Sequence, residues 1–275
     1  MPKNQTIDLI LKRRSHRQMS GDSITPEDLD EIVKAMNAAP TSSNKFHVSA
    51  LVIKDPEVKE EIFAKVNIER QKHYLTSAIT IVFMIDFNRI ETASKVQNQS
   101  VVIKTFDNFL NAWGDAYIML QNAVIAAESL GYNSTIVGGV RHFGLPVFLQ
   151  EKYNLPENVF PVIAVNIGKS DGAALERPRL NRVYIDKYDK NEVAQEVKDF
   201  DAVETKFWKE VMNVDTSWTK AMVNAYAKDV SHVYTDFMKP LFDPHKDYPE
   251  FSNEPRENLT AVTFGLKKPT EDEDK

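Results

Sequence analysis

Residues 78–86 constrain the fold more than any other segment of this sequence. They read AITIVFMID, so apolar and β-branched side chains follow one another with almost no polar interruption. A strand with one solvated face would alternate polar and apolar residues, whereas a continuous apolar run indicates a strand covered on both faces. The segment therefore predicts the central strand of a sheet that has helices on either side.

Further strands and helices alternate along the chain. We predict strands at Val48–Ile53, 134–137 and 159–167, and a last one at 259–264. Predicted helices cover residues 6–12, 25–39, 56–66, 103–130, 145–152, 191–211 and 217–238. The clearest start is Thr25-Pro26, a capping threonine followed by proline at the first helical position. No repeat or linker divides the chain, so we expect one domain over residues 1–265, with a helical extension at 186–265. The charged tail at 266–275 is predicted to be disordered.

Composition excludes several classes of chemistry. The chain has no cysteine, which rules out disulfide scaffolds, thiolate zinc sites and thiol redox centres, so any redox work requires a bound cofactor. A net charge of −6 gives no general attraction to nucleic acid or anionic lipid. The N-terminus does not resemble a signal peptide, and no apolar run approaches the ~20 residues of a membrane span. We expect a cytoplasmic protein that binds neither nucleic acid nor membrane.

Familiar motifs of other enzyme classes are also missing. The six histidines do not have metal-site spacing, so no metal site is predicted. There is no phosphate-binding G-x-x-x-x-G-K-[ST], no dinucleotide-binding G-x-G-x-x-G and no G-x-S-x-G of a hydrolase.

The densest basic cluster, KRRSHR at residues 12–17, follows the first predicted helix. Guanidinium groups can bind phosphate oxygens through paired, charge-assisted hydrogen bonds, and Ser15 can donate one more. The same residues could equally form a solvated basic face or a nucleic-acid patch. Charge alone leaves these alternatives open.

Three other segments are candidate ligand contacts, and each has a purely structural alternative. The hydroxyl-rich run at 39–44 suits either a polar ligand edge or a capping loop. Gly138-Gly139 after a strand allows either close backbone approach to a ligand or a tight turn. Arg177-Pro178-Arg179 could direct two cations towards one anion or lie in a surface loop.

Taken in order, short motifs along residues 5–185 resemble the nitroreductase superfamily. The resemblance is closest to its oxygen-insensitive NADPH nitroreductases and flavin reductases. The motifs are RRSHR at 13–17, TSS at 41–43, QKH at 71–73, DFNR at 86–89, Asp115, QN at 121–122, AAESLG at 126–131, GGVR at 138–141 and PRL at 178–180. One such motif is weak support for a family, whereas nine in register identify it.

The resemblance implies an α+β fold, with a mixed, mainly antiparallel central sheet flanked by helices. It implies that the helical extension at 186–265 embraces a partner in an intertwined homodimer. It also implies a non-covalently bound FMN at the dimer interface, in a site built from both chains, with NADPH or NADH as hydride donor.

Twelve residues match family positions that bind the flavin. The phosphate and ribityl end would be held by Arg13, Arg14, Ser15, Arg17, Arg177 and Arg179. The polar edge of the isoalloxazine ring or the ribityl chain would contact Ser42, Ser43 and Gln71. The ring near its reactive N5 atom would lie along Val137, Gly138 and Gly139. Asp115 and Glu128 match the family too, but as structural carboxylates that orient a basic loop.

The implied activity is ping-pong hydride transfer from NAD(P)H, through flavin N5, to small oxidants such as nitroaromatics, quinones or free flavin. No side chain is expected to be a catalytic acid, base or nucleophile, because the flavin carries the electrons. A non-catalytic FMN-binding or regulatory protein of the same fold is the alternative. A dehalogenase or flavin-destroying enzyme would need lid insertions that this sequence does not show.

The sequence departs from the family at two places. Lys45 stands where an aromatic residue is common, and Phe46-His47 where the group has glutamine, which bears on the substrate pocket. Arginines that favour the NADPH 2′-phosphate are missing from the C-terminal helical region, where only Lys209 and Lys220 are nearby. The choice between NADPH and NADH therefore stays open, as does the physiological acceptor.

Overall fold

Four antiparallel strands form one sheet in the order β1-β2-β4-β3. They appear in a computed structural model that describes residues 4–170, 172 and 174–227. The strands are β1 (Val48–Ile53), β2 (Ile79–Asp86), β3 (Asn133–Val137) and β4 (Val159–Gly168). Every residue of β2 and β4 is buried, which confirms that segment 78–86 is a central strand covered on both faces.

Helices cover both faces of the sheet. The described helices are α1 (Gln5–Lys12), α2 (Pro26–Asn37), α3 (Pro56–Val66), α4 (His73–Thr76), α5 (Asn88–Gln97), α6 (Phe106–Ser129), α7 (Leu145–Tyr153), α8 (Lys190–Met212) and α9 (Trp218–Tyr226). On one face, Ile81 and Phe83 of β2 pack with α2 and α6. On the other, Val82 and Met84 pack with α3 and α7. Alternate residues of one strand therefore supply two separate hydrophobic clusters.

Helix α6 lies against the sheet through small side chains. Ala112, Ala116, Ala123 and Ala127 are fully buried on its inner face. Alanine side chains let a helix backbone approach its neighbours closely, and α6 contacts α2, β2 and β4. This close packing fixes the position of the polar residues that α6 carries.

The observed helices differ from the prediction in three main places. The single-turn helix α4 was not predicted. Helix α5 was not predicted, because none of its residues is buried and it has no apolar face to recognise. Helix α6 begins at Phe106 rather than near residue 103, because the Thr105 side chain caps it by accepting from the Asn108 amide.

The described part of the C-terminal extension is packed differently from the sheet. Helices α8 and α9 contact each other, and within them only Glu204 is buried. The predicted continuation to residue 238, the strand at 259–264 and the tail at 266–275 lie outside the described residues. Among the helices that the structure describes, none is both long and apolar enough to cross a membrane.

Candidate functional site

The basic cluster lies along the edge of the sheet beside β3. Ser15 forms a parallel bridge with Ser134, and the His16 amide donates to the Ser134 carbonyl at 3.0 Å. The Thr135 hydroxyl donates to the His16 carbonyl. Because β3 continues directly into Gly138, the basic cluster and the glycine pair are attached to the same strand.

A cavity of about 870 Å³ separates residues 13–18 from the segment that contains Pro178. We call it the arginine cavity, because six guanidinium groups line it: Arg13, Arg14, Arg17, Arg177, Arg179 and Arg182. Ser15 lies on the same wall. The structure thus brings together all six residues predicted to hold the phosphate and ribityl end.

The end of α1 holds the two walls of the arginine cavity together. Arg14 Nη1 donates to the Leu11 carbonyl at 2.7 Å, and Arg179 Nη2 donates to the same oxygen at 2.8 Å. The last carbonyls of a helix have no partner within the helix, so cationic side chains are well suited to them. Arg14 and Arg179 are therefore fixed by backbone as well as by charge.

Positive charge in the cavity exceeds its described counterions. Glu176 pairs with Arg14, and Glu204 Oε1 lies 3.9 Å from Arg177 Nη1. Partial desolvation, together with the charges of Arg177 and Arg70, lowers the pKa of Arg17. A polyanionic ligand would relieve this crowding of like charges.

Buried polar atoms around the cavity also fit a phosphorylated ligand. Arg13 Nη1 and His16 Nδ1 belong to residues that line the cavity, and both are buried without a hydrogen-bond partner among the described residues. Gln71 Oε1, whose residue does not line the cavity, is also buried without such a partner. Leaving such atoms without partners costs about 1–3 kcal/mol each, so they mark places where a ligand group stabilises the fold. The cation set and these atoms together fit the phosphate and ribityl end of FMN.

A buried histidine lies behind this wall. His73 is 1% exposed, and its Nδ1 lies 2.6 Å from the Asn166 side-chain amide. Burial, together with the charge of Arg17, lowers the pKa of His73 to about 4. His73 is therefore neutral at pH 7 and adds no further charge to the cavity.

Residues 41–47, which we call the serine loop, have an unusual backbone. Ser43, Asn44 and Phe46 all have left-handed φ angles, of 48°, 57° and 49°. A left-handed residue with a side chain costs roughly 1–2 kcal/mol, so three of them persist only where other contacts hold the loop.

Asp115 of α6 provides those contacts. One carboxylate oxygen accepts from the Thr41 hydroxyl at 2.7 Å, the Ser42 amide at 2.8 Å and His47 Nε2 at 2.9 Å. The other accepts from the Ser42 hydroxyl at 2.8 Å. Burial alone would raise the pKa of Asp115, but the bonds from Thr41 and Ser42 and the nearby His47 outweigh it and lower the pKa. Asp115 is structural, as expected, but it orients the loop through hydroxyl, amide and imidazole donors and not through an ion pair with Lys45.

The DFNR motif supports the far end of the serine loop. Arg89 Nη1 donates to the carbonyls of Phe46 and Val48, at 3.3 Å each, and to Asp86 at 2.9 Å. Asp86 also accepts from the Ser49 hydroxyl at 2.5 Å. This motif therefore fixes the loop where it enters β1.

Glu128 has a structural place at the other end of α6. It accepts from the Ser134 hydroxyl at 2.6 Å, and burial raises the pKa of its carboxyl group. Ser134 is also the residue that pairs with Ser15, so Glu128 supports the strand that carries the basic cluster.

Gly138 and Gly139 lie in a short turn after β3 and do not have left-handed φ angles. A methyl group at Gly138 would lie 3.4 Å from the Arg141 guanidinium, and one at Gly139 would lie 3.6 Å from Phe143. These are ordinary contacts, so the fold of one chain does not itself require glycine here. If glycine is required at positions 138 and 139, the reason would be the close approach of a ligand to this backbone.

One chain does not bring all twelve predicted residues together. Within the part of the chain that the structure describes, the lining of the arginine cavity excludes six of them: Ser42, Ser43, Gln71, Val137, Gly138 and Gly139. Gln71 is nevertheless adjacent to Arg70, whose charge acts on Arg17.

Sequence reasoning missed several residues of the site. Arg182 could have been found, because it extends the basic spacing of Arg177 and Arg179 by three positions. The contribution of Arg70 could not, since it depends on how distant segments pack. The pairing of His47 with Asp115, 68 residues apart, likewise has no local signal.

The chain thus combines an antiparallel sheet, helices on both of its faces and, beside the sheet edge, a cation-lined cavity that suits a small phosphorylated ligand. The profile of the nitroreductase family matches residues 10–169. A Cr(VI) reductase of Pseudomonas sp. (strain G-1) is 34% identical over 173 residues, which cover 63% of this chain and 70% of that protein. An FMN reductase (NADPH) of Bacillus subtilis (strain 168) is 26% identical over 239 residues, which cover 85% of this chain and 84% of that protein.

The fold agrees with these relatives. The solved structure of a hypothetical oxidoreductase from Bacillus subtilis superposes with a TM-score of 0.81 and 26% identity, covering 88% of this chain and 100% of that one. The chain belongs to the nitroreductase family. The predicted family and the predicted mainly antiparallel α+β fold are confirmed.

Proposed function

We propose that this protein is an FMN-dependent NAD(P)H oxidoreductase that reduces small oxidised molecules such as nitroaromatics, quinones or free flavin. The family and the relative named FMN reductase (NADPH) bear out the predicted enzyme class. The observation that carries the proposal to this chain is the arginine cavity, whose surplus of cations and buried unpartnered polar atoms suits a phosphorylated cofactor.

Bound FMN would supply two-electron transfer through its N5 atom. Its phosphate and ribityl end would be held by Arg13, Arg14, Ser15, Arg17, Arg177 and Arg179. Paired hydrogen bonds from guanidinium groups give a phosphate both orientation and affinity. The backbone at Leu11, which fixes two of these arginines, keeps the wall in place before the ligand arrives.

The remaining predicted residues would contact the ring system. Ser42, Ser43 and Gln71 would bind its polar edge or the ribityl chain. Val137, Gly138 and Gly139 would lie along the ring, where the two glycines, which have no side chains, leave room for a flat ligand. We assign no side chain as acid or base, and His73 is too buried to exchange protons with a substrate.

The complete site would be built from two chains of a homodimer. Three features support this assembly. The serine loop does not line the arginine cavity of its own chain, α8 and α9 bury only Glu204 within their described residues, and α6 exposes large apolar residues such as Leu110 and Ile118. A surface of this kind favours burial against another chain. Residues 1–265 would form one domain, with 186–265 embracing the partner and 266–275 a charged tail.

The proposed environment is the cytoplasm, without nucleic-acid partners. The net charge of −6 supports the second point, because a phosphate backbone would be repelled. The arginine cavity is instead a local positive site on an acidic chain, which suits a small anion.

Anaerobic stopped-flow reduction tests the activity. The FMN-loaded protein is mixed separately with NADPH and NADH, and flavin absorbance is followed; an oxidant is then added in a second mixing step. We expect reduction followed by reoxidation. A protein that binds FMN but is reduced by neither donor would be the non-catalytic alternative, and one that takes up no FMN would refute the proposal.

A further inference from the structure

Asp115 makes most of the hydrogen bonds between α6 and the serine loop, and Lys45 Nζ adds one by donating to Asn108 Oδ1 at 3.2 Å. Asp115 is 4% exposed, and its four hydrogen bonds among the described residues all come from residues 41–47. These bonds join segments 73 positions apart and hold a loop with three left-handed residues. The arrangement exceeds what is needed to end a helix and begin a strand.

The protonation states in this cluster fix the direction of each hydrogen bond. An ionised carboxylate can only accept, so the hydroxyls of Thr41 and Ser42 must donate to Asp115. His47 Nε2 must donate as well, and burial of this ring lowers its pKa, so the ring is neutral with its proton on Nε2.

The consequence falls on Ser42. A serine hydroxyl has one hydrogen and two lone pairs, and here the hydrogen is committed to Asp115 Oδ1 at 2.8 Å. Among the described residues nothing donates to Ser42 Oγ, and the side chain is only half-buried. Ser42 therefore presents an acceptor, and not a donor, to whatever lies beside the loop.

We propose that Asp115 is a positioning residue that holds the Ser42 hydroxyl as an acceptor for an N–H donor of the ligand. The inference rests on the proposed function, because FMN supplies such a donor. The pyrimidine edge of its ring carries one N–H, at N3, between two carbonyl groups. A hydroxyl locked as an acceptor would favour this N–H over an edge that lacks it.

The test compares the binding of FMN and of 3-methyl-FMN, in which the N3 hydrogen is replaced, by flavin fluorescence titration of the deflavinated protein. We expect the wild type to prefer FMN by about tenfold or more, the size of one hydrogen bond. In Ser42→Ala the preference should fall to about threefold or less, because the acceptor is gone. In Asp115→Asn it should fall similarly, because an amide can donate to Ser42 and release its hydrogen. Any steric effect of the methyl group is common to all the proteins, so the change in the ratio is the readout.

Asp107→Asn is the matched control, since it makes the same chemical change on the exposed first turn of the same helix and should keep the wild-type preference. Circular dichroism of each deflavinated variant reports whether that variant is folded. If Asp115→Asn is unfolded, the flavin preference of Ser42→Ala decides the test. A preference that survives in folded Ser42→Ala, or in folded Asp115→Asn, overturns the inference. Equal binding of the two flavins by the wild type would also overturn the inference, but it would leave the proposed function intact. A wild type that binds neither flavin would refute the proposed function itself.

Discussion

The arginine cavity and the serine loop satisfy their polar groups in opposite ways. In the cavity, six guanidinium groups have two nearby carboxylates, and polar atoms of Arg13 and His16 are buried without partners among the described residues. In the loop, one carboxylate accepts four hydrogen bonds and the strained backbone is held from both ends. The Asp115 carboxylate in the loop is therefore paired within the chain, whereas the cavity keeps buried polar atoms that a bound anion would pair.

This difference indicates that the arginine cavity and the serine loop contribute differently to ligand binding. In the proposed complex, the cavity would supply binding energy through charge, because its cations would gain most from a dianion. The loop would supply orientation, because its hydroxyl directions are already set before binding. Substitutions in the two regions should therefore affect different quantities: ligand affinity in the cavity, and fold stability or ligand selectivity in the loop.

Arg17→Ala should give the largest change in affinity. Hydrogen bonds to a charged group contribute about 1.5–3 kcal/mol, so FMN should bind roughly 10- to 100-fold more weakly. The free energy of unfolding without flavin should not fall, because a cation beside Arg177 and Arg70 is removed. Fluorescence titration and urea unfolding measure the two quantities. Lys12→Ala is the control, since that exposed lysine pairs with Asp8 and does not line the cavity; equal FMN affinity in both variants would contradict the role of Arg17.

Acid should destabilise the cavity side of the molecule through His73. Its pKa is about 4 when folded and near 6.5 when unfolded, so between these values the unfolded chain binds a proton that the folded one does not. Stability should therefore fall as the pH drops from 6.5 to 4, by up to about 1.4 kcal/mol per pH unit.

The measurement is urea unfolding at several pH values in His73→Gln beside the wild type. The variant should lose much of this slope even if its stability at pH 7 is lower. His47→Gln should lose less, because Asp115 partly offsets the effect of burial on the pKa of His47. An unchanged slope in His73→Gln would mean that His73 is not the group responsible.

Mixing two impaired variants tests whether the cavity and the loop of one site come from different chains. Arg17→Ala weakens FMN binding in the cavity, and Asp115→Ala removes the carboxylate that orders the loop. After random subunit exchange, half of the dimers are mixed and each of these has one site without a substitution, so about a quarter of all sites should bind FMN normally. No recovery, in a mixture that light scattering shows to be dimeric and exchanged, would place both regions of a site on one chain.

Gly139→Ala should have the smallest effect on stability. The added methyl group makes only ordinary contacts with Phe143 and Val137, so the free energy of unfolding should change by less than about 1 kcal/mol. FMN affinity should nevertheless fall if the ligand lies against this backbone. A variant with unchanged affinity would remove Gly139 from the site.

The sequence predicts the elements well where local rules determine them. Strand β1 and helix α3 have the predicted bounds, because Asp55-Pro56 separates an apolar run from an amphipathic one. Helix α5 was not predicted because none of its residues is fully buried and only Ile90 packs against the core. At the site, the two arginine clusters were expected to converge and do so, whereas the links from Asp115 to Ser42 and from Arg70 to Arg17 depend on tertiary packing that no local pattern encodes.

The proposed function depends above all on the arginine cavity holding the phosphate of FMN. Comparing FMN with riboflavin tests it most directly, because the two flavins differ only in that phosphate. Titrated into the deflavinated wild type, FMN should bind at least about 100-fold more tightly than riboflavin, and this advantage should shrink in Arg17→Ala and with added salt. Equal affinity for FMN and riboflavin in the wild type would contradict the account.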